Sequence, residues 1–244
     1  MGAAHAESTL TVGAGVGVVE QSYKGYDAKA YLIPAVSYDS DYFWFRGLGG
    51  GFYLWNDSAD TLSVTAYWAP MYFKPDDSND HQLRLLDERK STLMAGISWS
   101  HNTPYGFLRT GLAADVLDNS NGVVGDVAWL YRYVNGGFTL TPGIGVEWSS
   151  QKQNDYYYGV SRRESARSGL ERYKADNGWS PYLEISANYT FASNWGIYGT
   201  ARYSRLSDEV KNSPMVDKSW DRLYSTAITY RYRYRYDLKL TAPA

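Results

Sequence analysis

Three histidines, no cysteines and one acid-rich stretch are the residues with which this chain could do chemistry. Without thiols there is no disulfide framework, no thiolate metal site and no thiol nucleophile. His81 has Asp76, Asp77, Asp80, Asp87 and Glu88 as sequence neighbours. A Ser-His or Asp-His hydrolytic site there would need a positioned base and a group to orient it, and a solvated polar loop accounts for the same residues. Asp76, Asp77, Asn79 and Asp80 offer the clustered oxygens that hard cations take, but the spacing departs from an EF-hand loop, so an acidic loop is the preferred reading. Gly13-x-Gly15-x-Gly17 precedes no helix and is not a dinucleotide-binding turn. His101 lies beside a short turn, and His5 lies near the start of the chain. The residues therefore point to no catalytic, cofactor or metal site.

The elements that position these residues follow a period of two. Phe138, Leu140, Pro142, Ile144, Val146 and Trp148 share one face of a strand, and Thr139, Thr141, Gly143, Gly145 and Glu147 share the other. Leu183, Ile185, Ala187 and Tyr189 repeat the pattern against Tyr182, Glu184, Ser186, Asn188 and Thr190. Ten-residue strands with one apolar face and one polar face, repeated along a chain, describe an antiparallel transmembrane β-barrel with a polar lumen. Composition agrees: 16% of residues are aromatic, with 24 Tyr and 23 Gly, which suits aromatic girdles and close-packed strands. A net charge of −2 argues against a nucleic-acid surface. No run of apolar residues is long enough for a membrane-spanning helix.

Strands are expected near 9–19, 28–38, 61–73, 91–101, 105–117, 123–134, 137–150, 179–191, 194–207 and 220–232. The stretch 41–56 forms either one strand or two bent at its glycines. An even strand number with both termini in the periplasm requires two, giving twelve strands, with ten as the alternative. The linkers 74–90, 118–122, 151–178 and 208–219 then lie outside the cell. Asn135-Gly136 is expected as a two-residue hairpin turn that sets Tyr133 opposite Phe138. A three-residue turn at 192–194 sets Glu184 opposite Arg202, where a salt bridge is expected.

This phasing points Arg46, Arg109, Asp115, Asp126, Arg132, Glu147, Glu184 and Arg202 into the lumen. Charge of both signs in a narrow barrel favours a plug of ion pairs over a substrate path. Trp68, Trp99, Trp129, Trp148 and Trp195 fall near strand ends, where indoles favour the membrane interface. Ala4-His5-Ala6 fits the small-residue pattern of a signal-peptidase site. Residues 1–6 therefore read as a signal-peptide remnant behind an added Met1-Gly2, residues 7–232 as a single barrel domain and 233–244 as a C-terminal extension.

Specific motifs lie in the long connections. Tyr157, Tyr158, Gly159, Val160 and Ser161, followed by Ser165, Ala166, Arg167, Ser168, Gly169, Leu170 and then Tyr173, resemble the signature loop of the MltA-interacting protein family, also called the OmpV family of outer-membrane proteins. Gly13-Ala-Gly-Val-Gly17, Arg46-Gly-Leu-Gly49, Tyr203-Ser-Arg-Leu206 and Ser213-Pro-Met-Val216 extend the resemblance from about Leu10 to Tyr232. The resemblance implies a non-enzymatic scaffold in the outer-membrane lipid. Such a scaffold would bring a lytic murein transglycosylase lipoprotein and a bifunctional, class A penicillin-binding protein together for peptidoglycan synthesis. It carries over no catalytic residues. A small channel, a solute-uptake barrel or an adhesion barrel is the alternative, with a hydrolase at the barrel rim behind it. The specific loops fall outside the cell while the implied partners are periplasmic, so either the partners grip the short turns and the wall, or the role includes something extracellular.

Overall fold

Alternation of apolar and polar residues builds one closed antiparallel sheet in the computed structural model, which describes residues 5–237, and side chains over 8–234. Thirteen strand segments make the wall: β1 (His5–Glu20), β2 (Lys29–Asp39), β3 (Phe43–Arg46), β4 (Gly49–Asn56), β5 (Asp60–Ala69), β6 (Thr92–Thr103), β7 (Gly106–Asp115), β8 (Val123–Leu130), β9 (Tyr133–Asn135), β10 (Phe138–Ser149), β11 (Gly178–Thr190), β12 (Trp195–Arg205) and β13 (Trp220–Asp237). Each pairs with its neighbour, and β1 pairs with β13 from His5↔Asp237 to Glu20↔Arg222, which closes the barrel. Segments β8 and β9 are one strand: both pair with β10 in a single register, Leu130↔Gly143 and Tyr133↔Leu140. The break falls opposite Pro142. Its carbonyl accepts from Tyr131 N–H at 3.0 Å, but its ring nitrogen has no proton to return. The barrel therefore has twelve strands.

Residues 41–56 do split, at Gly47-Leu48, where Gly47 takes a φ of +56° and Arg46 pairs with Gly49. The turn at 192–194 gives Glu184↔Arg202 and Tyr189↔Ile197 as expected. The hairpin at 135–136 is a correction. Asn135 pairs with Phe138, and Tyr133 faces Leu140 rather than Phe138. The turn has moved one residue on, because Gly136 supplies the only positive φ in it, +58°. The slip moves both strands together, so every side chain keeps its face.

Five connections, 21–28, 70–91, 116–122, 150–177 and 206–219, gather at one end, and short turns close the other. Two helices, α1 (Gln151–Tyr158) and α2 (Arg162–Ser168), and a short α3 (Asp208–Lys211), lie within these connections. The N-terminal end of β1 and the C-terminal end of β13 lie at the turn end. No helix among the described residues is long and apolar enough to cross a membrane.

Glycine sets the closeness of some strand pairs. A Cβ on Gly96 would run into the Leu112 carbonyl of the neighbouring strand, whereas at Gly111 the nearest atom, the Ile97 carbonyl oxygen, is 3.7 Å away. Gly96→Ala is expected to lower barrel stability by about 1–3 kcal/mol, the usual cost of overpacking, and Gly111→Ala to leave it unchanged. The thermal midpoint for loss of the folded, fast-migrating band in cold SDS would report both.

Candidate functional site

The mouth at the loop-bearing end is filled by protein. Tyr23, Tyr26, Phe73, Leu83, Leu86, Tyr157, Tyr158, Val160, Leu170, Leu206, Val210, Met215 and Val216 form one buried cluster. This core is assembled wholly from residues of the connections between strands. Tyr23 stacks on Tyr158 at 5.2 Å and tilts against Phe73 at 4.9 Å, and its hydroxyl donates to the Tyr157 carbonyl at 2.9 Å. Tyr157 donates in turn to the Lys90 carbonyl at 2.8 Å, and Ser213 to that of Tyr158 at 2.6 Å. Such contacts tie the connections into a cap. Burial holds the Tyr23 and Tyr158 phenols well above their ordinary pKa.

The family-signature residues are the frame of this cap. Gly159 follows the end of α1 and packs against Asp155 where a Cβ would not fit. Val160 exchanges backbone hydrogen bonds with Tyr173, at 2.9 and 3.0 Å. Ser161 caps α2 in a reciprocal capping box with Glu164. Ser165 Oγ donates to the Leu170 carbonyl at 2.6 Å, and Ser168 Oγ to that of Glu164 at 2.7 Å. Gly169 ends the helix with a φ of +77°. Arg167 pairs with Asp87 at 2.8 Å, and Leu170 is buried in the core while Ala166 is exposed on α2.

One buried ion pair staples two connections together. Arg89 Nη2 lies 2.8 Å from Glu164 Oε2, with both side chains 6% exposed. The same nitrogen donates to the Gly159 carbonyl at 3.0 Å, and the same carboxylate oxygen accepts from Asp87 N–H at 3.1 Å. Arg89, Tyr23 and Phe73 lie outside every motif of the sequence, whereas Met215 lies in Ser213-Pro-Met-Val216. The one local signal was the Ser161-x-x-Glu164 spacing of a capping box.

Beneath the cap, charged side chains meet inside the barrel. Arg109 Nη1 is 2.8 Å from Glu184 and its Nε is 3.9 Å from Asp126. Tyr182 donates to Asp126 at 2.8 Å and accepts from Arg109 at 3.1 Å. Arg202 pairs with Glu147 at 3.3 Å and lies 3.6 Å above the Tyr182 ring. The salt bridge expected between Glu184 and Arg202 is therefore not formed, although the two residues face each other in register. Glu184 reaches Arg109 on β7 instead, and the Arg202 guanidinium turns to Glu147 on β10.

The other charges sit elsewhere. Asp115, at the end of β7, spends its carboxylate on the 116–122 connection, accepting from the N–H groups of Leu117, Asn119, Ser120 and Asn121 at 2.7–3.0 Å. Arg46 pairs with Asp39 on β2, and Arg132 lies 5.1 Å over the Phe107 ring. Trp68, Trp99, Trp129 and Trp195 are exposed on the outer face, and Trp148 packs against Trp179 with ring centroids 6.4 Å apart.

The candidate chemical groups are engaged in structure. Asp80 accepts from the N–H groups of Gln82 and Leu83, and Asp77 pairs with Lys29. His81 is exposed. His101 Nδ1 lies 2.8 Å from Asp60 at the turn end, and Trp99 Nε1 donates to the same oxygen at 3.0 Å. Among the described residues no three acidic or histidine side chains are grouped to hold a metal.

The family model for "MltA-interacting protein MipA" matches residues 12–232. The chain is 66% identical over 231 residues to the MltA-interacting protein of Escherichia coli (strain K12), covering 95% of this chain and 93% of that protein. It is 39% identical over 225 residues to the putative outer membrane protein YiaT of the same organism, covering 92% of each. Among solved structures, the NanC porin aligns over 91% of this chain and 98% of that one, with 13% identity and a TM-score of 0.43.

Arg89→Ala would leave the Glu164 carboxylate buried without its cation, an effect of ~3–5 kcal/mol. Limited trypsin digestion should then cut at Arg162, Arg163 or Arg167 while the barrel stays folded in cold SDS, and Arg89→Met combined with Glu164→Leu should restore resistance. The raised Tyr23 and Tyr158 pKa values add a pH dependence: phenols kept neutral in the folded cap stabilise it fully below the ordinary tyrosine pKa, about 10. That contribution is lost as pH climbs above 10 towards the folded-state values. Trypsin resistance of the cap should thus decline as pH rises above 10.

Proposed function

The chain belongs to the MltA-interacting protein family and forms an outer-membrane β-barrel, and we propose that it serves as a non-enzymatic anchor for murein-building enzymes. In this reading it gathers a lytic murein transglycosylase and a bifunctional penicillin-binding protein at the periplasmic face. The observation that carries the reading is the cap: a mouth filled by a packed core, above a lumen crossed by ion pairs, suits a barrel that holds partners better than one that passes solutes. With both termini periplasmic, the cap faces out of the cell. Tyr157, Tyr158, Val160, Ser168 and Leu170 of its signature turn inward to build it, so these residues are poor candidates for a partner surface. The turn end is a better one. Tyr42 and Tyr105 stand there, 75% and 82% exposed, and exposed aromatic side chains are favoured anchors at protein interfaces.

The reading has two measurable consequences. In planar bilayers the purified barrel should show conductance near the baseline. Tagged barrel should recover the transglycosylase and the penicillin-binding protein from envelope extracts. Tyr42→Ala combined with Tyr105→Ala should cut that recovery several-fold, while His81→Ala on the cap should leave it intact. Recovery of neither enzyme by the unaltered barrel would sink the anchor reading.

A further inference from the structure

The wall thins between β2 and β5, on the side towards the cap. The β3–β4 hairpin that should fill this interval is short, because β3 has four residues, about 13 Å of strand at ~3.3 Å per residue. A membrane-crossing strand needs about 9–11. Pairing of β2 with β3 stops at Ser37↔Arg46, with one further bond from Gly47 N–H to the Val36 carbonyl. On the other side, Trp68 N–H to the Leu48 carbonyl is the last bond between β5 and the hairpin turn. Towards the cap, Lys29–Ala35 of β2 has β1 on one side and no strand on the other.

This notch lies in the lipid-facing band. On the β1 side, Val16 is in register with Leu32, and Ile228 of β13 with Ala14 and through it Pro34, and Val16 and Ile228 are exposed on the outer face. Its lips are apolar: Leu32 is 86% exposed, and Val36, Leu48 and Trp68 are exposed as well. From the Val36 bond, the even-numbered residues of β2 aim their backbone groups at the notch, since alternate residues bond to alternate sides. Ala30 and Leu32 thus present N–H and C=O groups there, and Pro34 a C=O. Hydrocarbon cannot satisfy such groups. Pro34, and Pro70 just beyond β5, remove donors from the two facing edges, a device that deters strand addition. Across the interval, Tyr31 and Tyr72 join hydroxyl to hydroxyl at 2.8 Å, and Lys29 pairs with Asp77 at its cap-side rim.

We propose that this notch is a lateral opening from membrane to lumen, and that it takes one acyl chain of a membrane lipid. The chain lies against Leu32, Leu48 and Trp68, and the polar end of the lipid meets the Tyr31 and Tyr72 hydroxyls. Lumen water reaches the free backbone groups behind it. The two prolines disfavour a peptide strand as the occupant, and the apolar outer face beside the notch makes bilayer lipid the neighbouring phase. The opening stands whether or not the barrel anchors murein enzymes.

The chain has no native cysteine, so single labels can test it. A bimane label on Ile33→Cys, lumen-facing behind the notch, would be compared with Thr200→Cys, lumen-facing behind complete wall, and Leu183→Cys, on the lipid face. Each protein would be placed in phosphatidylcholine vesicles carrying doxyl-labelled acyl chains, after cold-SDS mobility shows it folded. Quenching at position 33 should exceed that at 200 several-fold and approach that at 183. Adding Tyr31→Ala, which removes the hydroxyl bridge, should raise it further. Quenching at 33 no greater than at 200 would overturn the opening.

Discussion

A wall that lies in hydrocarbon has to satisfy its own backbone, and the rest of this structure depends on that constraint. Each N–H and C=O left facing lipid costs several kcal/mol, so the sheet must close, and β1 and β13 do so over sixteen consecutive residue pairs. Closure fixes the strand number and the alternation of faces. It also brings Arg109, Asp126, Glu147, Glu184 and Arg202 into one narrow space. Charges confined there pair with whichever partner the curvature brings within reach, as Glu184 does with Arg109 across the lumen rather than with the residue beside it. The interval between β2 and β5 carries prolines on both edges, as expected where a free edge must not recruit another strand.

The same constraint explains the cap. In a barrel whose outer face meets lipid and whose inner face is largely polar, strands bury only small apolar clusters such as Ala128, Leu130 and Tyr182. The larger apolar core of this chain is therefore built by its connections. Tyr23, Phe73, Tyr157, Leu170 and Met215 come from four different connections, and ordering so much chain is an entropic cost that buried aromatic surface and the Arg89–Glu164 pair must offset. A motif such as Tyr157 to Leu170 thus marks a packing requirement. Its glycines, capping serine and tyrosines are those needed to end one helix, start the next and fill the mouth.

Much of this was legible in the amino-acid order, at the level where one residue constrains its neighbours. The two-residue period located the strands, and parity divided 41–56. The glycine-free turn at 192–194 gave the right register because its length admitted few geometries. The Asn135-Gly136 turn slipped by one residue because Gly137 follows, and two adjacent glycines let the turn choose either position. Pro142 could be read as an apolar face residue, but its missing donor showed only as a break in the opposite strand. Neither the cap nor the ion-pair partners were readable, since both join residues far apart in the chain: Arg202 and Glu147 are 55 positions apart, and Arg89 to Glu164 and Arg109 to Glu184 are 75 each. Spacing along a chain carries no information about such pairs until the sheet has closed.

A topological tension follows the family's specific loops, which lie at the end of the barrel opposite its termini, while the enzymes such a barrel is thought to gather work in the periplasm. The cap removes the need for those loops to touch a partner. A barrel used as an anchor gains from a sealed mouth, because an open lumen of this width would leak small solutes across the outer membrane. On the proposed reading, the specific loop residues and the partner-facing turn residues are two parts of one requirement: the first would keep the barrel closed and rigid, and the second would present exposed side chains such as Tyr42 and Tyr105 on short, strand-bound turns. Sequence specificity concentrated in this loop answers to packing of the cap, and if the barrel is an anchor as proposed, its contact surface is to be sought at the turns, where the sequence looks least distinctive.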